Sequence, residues 1–94
     1  MPTKFIHCRQ INQEGKITPN GGMTIAYTLN NEFKVVGFAV AKCHMKDHYN
    51  KKVGRMKAKG RLKSPNYYIE VNPPMAEQEF IEGAFNGYKT NING

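Results

Sequence analysis

Two alternating runs joined by a short turn constrain this chain more than any other feature. Met23, Ile25, Tyr27 and Leu29 alternate with Thr24, Ala26 and Thr28. A period of two is the repeat of a β-strand and predicts a strand with one buried face. Asn30-Asn31 follows, a hairpin turn signal because Asn enters the left-handed region at low cost. Phe33 to Cys43 then reads as a long strand. Val36, Phe38 and Val40 share one of its faces. Val35, Gly37, Ala39 and Ala41 share the other, where small side chains would let a helix pack closely.

The remaining elements are read around this hairpin. Phe5 to Ile11 is expected to be a first strand. Asn12-Gln13-Glu14-Gly15 and Pro19-Asn20-Gly21-Gly22 are turn signals. Lys46 to Lys59 reads as a helix, with Asp47 as its N-cap and Gly60 as a left-handed C-cap. Tyr49, Val53 and Met56 would form its apolar stripe. Gly54 is unfavourable in a helix interior and suggests close approach of backbone to sheet or ligand. Tyr67 to Val71 is a short strand. Asn72-Pro73-Pro74 then opens a last helix. Phe80, Ile81, Ala84, Phe85 and Tyr88 form the stripe of that helix, and Asn86-Gly87 ends it before a frayed tail at Thr90 to Gly94. The expected fold is one α+β domain over residues 1–94, in the order β-β-β-α-β-α. A mainly antiparallel sheet of about four strands would carry two helices on one face.

Composition limits the function classes. Hydrophobic residues make up 39% of the chain, enough for a core. No apolar run approaches the roughly 20 residues that span a bilayer, and Met1 to Ile11 contains no apolar signal region. The expected setting is therefore cytoplasmic, without a membrane partner. Cys8 and Cys43 are expected as small buried hydrophobes rather than a disulfide.

Charge is the strongest functional signal. The net charge is +7, and its distribution is uneven. Lys42 to Lys63 holds nine basic residues and one acid, Asp47, whereas Ser64 to Tyr88 holds four acids and no Lys or Arg. On a helix, Lys52, Arg55 and Lys59 fall on one flank, with Lys51 one turn from Arg55. Such a row neutralises phosphates and releases counterions. The candidate anion-binding and nucleic-acid-binding residues are therefore Lys51, Lys52, Arg55, Lys59, Arg61 and Lys63. The bland explanation is a solvated face that keeps the protein soluble. The acidic last helix lying beside the basic one would also absorb part of its field. Tyr68 shares a strand face with Glu70 and is the candidate for stacking on a base. Tyr67 is expected in the core.

Other chemistries are less supported. His7, Cys8, Cys43, His44 and His48 are metal-ligand residue types. His7-Cys8 and Cys43-His44 are neighbours on strands, however, so each pair points to opposite faces. No C-x-x-C spacing occurs, and H-x-x-x-H spacing occurs once, at His44 and His48. A Cys43–His44 or Cys43–His48 pair lacks a third member to organise it. No phosphate-binding or dinucleotide fingerprint is present. No catalytic residue, metal or cofactor is therefore expected, and the chain reads as a non-enzyme.

Two stretches carry a family resemblance. Gly21-Gly22-Met23-Thr24-Ile25-Ala26-Tyr27 is followed by Lys46-Asp47-His48-Tyr49-Asn50-Lys51-Lys52-Val53-Gly54-Arg55 and closed by Ala58-Lys59-Gly60-Arg61-Leu62. Together they resemble small proteins encoded by bacteriophages and prophages. The resemblance implies a protein acting in the host cytoplasm, and anti-CRISPR inhibitors are one group of this kind. Two functions follow as expectations. In the first, the chain binds DNA or RNA, or a host nucleoprotein complex, through its basic helix. In the second, it is an inhibitor that recognises the protein of a defence complex rather than bare nucleic acid. Exposed strand edges would allow a homodimer.

Overall fold

A computed structural model describes residues 3–44 and 46–93, with side chains described up to residue 86. The elements run β1 (Thr3–Cys8), β2 (Met23–Leu29), β3 (Lys34–Lys42), α1 (Lys51–Leu62), β4 (Ile69–Ala76) and α2 (Glu77–Asn93). The four strands form one antiparallel sheet in the order β1-β2-β3-β4. The α+β class and the β-β-β-α-β-α order are those expected from the sequence.

The helices divide between the two faces of the sheet instead of sharing one. The reason lies in β2, where every residue but Thr28 is buried. Its two faces both need a cover. On one face, Ile6, Cys8, Met23, Ile25, Tyr27, Leu29 and Val35 form the main core, closed by Phe80 of α2. The Phe80 ring lies 5.1 Å from Tyr27 and 5.2 Å from Phe38, centroid to centroid. Burying one such ring contributes about 2–3 kcal/mol. Glu77, in the first turn of α2, accepts a 2.7 Å hydrogen bond from the Tyr27 hydroxyl and pairs with Lys4 at 3.1 Å. Both contacts hold its carboxyl below the usual range.

The opposite face is made of small residues and takes α1. Ala26, Ala41 and Ala58 pack together, with Phe5 and Leu62 beside them. A Cβ on Gly54 would overlap the hydroxyl of Thr24, so helix and sheet touch through a missing side chain. The packing stripe of α1 is thus Gly54, Ala58 and Leu62. It is not Tyr49, Val53 and Met56: Val53 is 44% exposed and Met56 66%.

The ends of α1 also differ from expectation. Asn50 is the N-cap, its side chain accepting from the Val53 amide at 3.1 Å. Asp47 sits in the preceding turn, where its carbonyl accepts from the Gly21 amide. The helix continues through Gly60, because Arg61 and Leu62 beyond it are engaged by the sheet. Lys63 ends it in a right-handed conformation.

The last strand runs further than expected. Ile69 and Glu70 pair with Phe38 and Gly37; Met75 and Ala76 pair with Val35 and Lys34. The intervening residues 71–74, including the cis Asn72–Pro73 bond, bow out of register. An edge strand tolerates prolines because its outer side needs no donor. Asn72-Pro73-Pro74 therefore belongs to β4, and α2 starts at Glu77. Helix α2 passes through Asn86-Gly87 and the segment expected to fray, reaching Asn93. The side chain expected at Tyr88 and the residue Gly94 lie outside the described residues.

Two turns share one construction. Asn12 accepts at its side-chain oxygen from the amides of Glu14 and Lys16, and Asn30 does the same for Glu32 and Lys34. The left-handed position is Gly15 in the first turn and Phe33, with φ 60°, in the second. Phe33 is 72% exposed, so its ring gains little burial to offset that backbone cost.

Two substitutions test this packing. Phe33→Gly is expected to stabilise the fold by about 1 kcal/mol, by relieving left-handed strain. Gly54→Ala would gain about 1 kcal/mol in an exposed helix. Here overpacking against Thr24, at about 1–3 kcal/mol, should win. Urea denaturation should show a raised midpoint for the first variant and a lowered one for the second.

Candidate functional site

Helix α1 supplies the candidate site. With its small side against the sheet, its charged residues have only solvent to enter. Lys51, Lys52, Arg55, Lys57 and Lys59 are exposed, as is Lys63 at the C-cap. At 100° per residue, Lys52, Lys59 and Lys63 point away from the Gly54–Ala58 line. Arg55 and Lys51 lie on the flank towards β1, and Lys57 lies on the other flank with Val53. The helix contains no acid, and among the described residues none of its cations is in an ion pair. The acidic helix α2 is across the sheet, so it does not lie beside this row.

Arg61 stands apart from the other sequence-derived candidates. Its guanidinium donates to the Val40 carbonyl at 3.0 Å and lies 4.8 Å from the Tyr67 ring centre. It fastens the end of α1 to β3. Tyr67, expected in the core, is half-exposed beneath this guanidinium. Tyr68 also has a partner: its hydroxyl donates to the Val36 carbonyl at 3.3 Å, and its ring occupies the space where a Gly37 side chain would be. One side of that ring covers the sheet, and its exposure is 39%.

Beneath the first turn of α1 is a polar cluster that the sequence reading missed. The Tyr49 hydroxyl is 2.7 Å from His7 Nδ1 and 3.0 Å from Thr24 Oγ1. His7 Nδ1 is 3.1 Å from the same Thr24 oxygen. Thr24 is fully buried. The Arg9 guanidinium lies 4.6 Å from the centre of the Tyr49 ring and donates to the Thr18 carbonyl. Tyr49 is thus drawn into the fold, its amide donating to Pro19, rather than placed on the helix. The available signal was Thr24 itself. It shares the face of Ala26, which continues onto Ala39 and Ala41 of β3, and a helix on that face buries it.

Burial lowers the pKa of His7, and the nearby charges of Lys51 and Arg55 lower it further. A neutral His7 protonated at Nε2 accepts at Nδ1 from a hydroxyl; a protonated one loses that acceptor. Burial raises the Tyr49 hydroxyl and pushes the Cys8 thiol up to about 11.

The cysteines and histidines do not assemble into a reactive group. Cys8 and Cys43 are both free, Cys8 buried and Cys43 half-buried. His7 and Cys8 face opposite sides of the sheet, as the alternation predicts. The Cys43 thiol points among three backbone carbonyls, those of His44, Asp47 and His48, at 3.5–3.6 Å. Among the described residues no three His, Cys, Asp or Glu side chains come together to hold a metal.

A cavity of about 280 Å³ opens beside the start of α1. Ala41, Cys43, Tyr49, Val53 and Gly54 contribute to its walls, with Lys42 and Lys57 also lining it. On the other face of the sheet an apolar groove runs between β4 and α2, past Phe38, Val71, Met75 and Ala84.

No protein-family model, curated protein or solved structure matches this chain. No helix among the described residues is long and apolar enough to cross a membrane.

The lowered pKa of His7 fixes a pH dependence. The unfolded chain binds the His7 proton more readily than the folded one, so stability is full above the unfolded pKa of about 6.5. It is lost as pH falls through the lower folded value. The urea midpoint should therefore drop between pH 7.5 and pH 5.5, and His7→Gln should flatten that drop.

Proposed function

We propose that the chain binds nucleic acid, bare or within a nucleoprotein, through the outer face of α1. One observation carries this reading: the helix presents a row of unpaired cations, while the acids of α2 are held on the far side of the sheet. A row of this kind attracts a polyanion and exchanges its counterions for protein charge. Lys51, Lys52, Arg55, Lys59 and Lys63 are the contacts, joined by Lys57. Arg61 serves by fixing the helix end, since its guanidinium is engaged with Val40 and Tyr67. Tyr68 offers one ring face beside the sheet.

A second reading has its own observation. Val53 and Met56 are exposed among the cations of α1. Apolar side chains inside a charged face suit a protein surface better than a phosphate backbone. The resemblance to phage-encoded proteins supplies the partner class: a host defence complex, blocked by direct binding in the host cytoplasm.

Titration into fluorescent single-stranded DNA, duplex DNA and RNA at two salt concentrations separates the two. The nucleic-acid reading expects affinity to fall steeply with salt, by a log–log slope of about 0.7–0.9 per phosphate contacted. Lys52→Glu/Arg55→Glu should lower affinity by about 30- to 1,000-fold, about 1–2 kcal/mol for each reversed contact. Absence of binding at low salt would reject recognition of bare nucleic acid, and a stable complex with a purified defence protein free of nucleic acid would establish the second.

A further inference from the structure

The cavity beside α1 adds a property that the cationic row alone does not have. We propose that it receives one unstacked nucleobase, so that the nucleic acid held on α1 is single-stranded. This rests on the nucleic-acid reading and refines it.

A nucleobase is flat, with apolar faces and a polar edge. The cavity offers both chemistries. Ala41, Val53 and Gly54 supply apolar wall, while Asp47, His48 and Asn50 supply hydrogen-bonding groups. Asp47 lines the cavity, and a carboxylate accepts hydrogen bonds, so a base edge that meets it carries an amino or ring N–H group. Lys42 and Lys57 line the same cavity. They are placed to meet the phosphates on either side of an inserted base, with Lys57 on the flank of α1 that faces the cavity. A volume of about 280 Å³ suits a single base rather than a larger ligand.

The wall is built before any ligand arrives. The Cys43 amide donates to Gly22 at 2.8 Å, and its thiol is held among three carbonyls of the turn. The Asp47 carbonyl accepts from Gly21 at 3.1 Å, the Tyr49 amide donates to Pro19 at 2.8 Å, and His48 bridges to Asn20. The Tyr49 ring is fixed by His7 and Thr24. A preformed site spares the ordering cost of binding. A duplex cannot use it without extruding a base, which costs a few kcal/mol.

The test compares a short labelled single strand, chosen without self-complementarity, with the blunt-ended duplex it forms with its complement, using the whole chain and Val53→Phe. Val53 is half-exposed, so the larger ring is expected to fill the cavity without unfolding the helix or changing charge. Circular dichroism checks the fold. Wild type should prefer the single strand by at least about ten-fold, the equivalent of ~1.4 kcal/mol. Val53→Phe should lose most of that preference and keep its duplex affinity. Independently of any variant, titration with guanosine monophosphate should shift the backbone amide signals of Lys42, His48 and Asn50. Equal affinity for both forms, unchanged by Val53→Phe and with no such shifts, would overturn the cavity assignment while leaving the cationic face intact. Absence of binding to every nucleic acid, with no shifts, would overturn both.

Discussion

The buried second strand is the constraint on which this structure rests. A strand with water on one side needs one cover; β2 has none exposed except near Thr28, and so requires two. The chain supplies them from opposite chemical stocks. Large apolar residues on one face call for the aromatic side of α2, and Ala, Gly and Thr on the other admit α1 at short range. Each helix is amphipathic, so its polar side must turn outward. Because one outer side is rich in Lys and Arg and the other in Glu, burying β2 also sorts the charges.

Close packing and polar placement are linked on the α1 side. Gly54 brings the helix against Thr24, and Thr24 is where His7 and Tyr49 meet. A hydroxyl sealed beneath a helix needs partners, and the triangle of side chains provides them. The same Tyr49 forms part of the cavity wall. Helix position, buried polar cluster and cavity shape therefore share the residues Thr24, Tyr49 and Gly54.

The sequence was most informative where one periodicity ruled. The hairpin of β2 and β3, the order of elements and the cationic row followed from alternation and charge. It misled where two patterns competed. Tyr49, Val53 and Met56 have helical spacing, but Asn50 caps more effectively than Asp47 because its side chain reaches the Val53 amide. The stripe that packs is read only once the partner surface is known to be alanine and glycine. Pro73 and Pro74 are local signals of a helix start; an edge strand accommodates them because of what is not beside it. The sequence shows the charge of Arg61 and the ring of Tyr68, but not the carbonyls of Val40 and Val36 that also engage them.

Charge sorted across a thin sheet gives the whole molecule a direction. In the field of a polyanion, attraction on α1 and repulsion on α2 form a couple, and the protein experiences a torque as well as a pull. It would turn in such a field, so that the α1 side would lead. Fewer encounters with a polyanion would then occur on the wrong face, with orientation selected before any side chain makes contact.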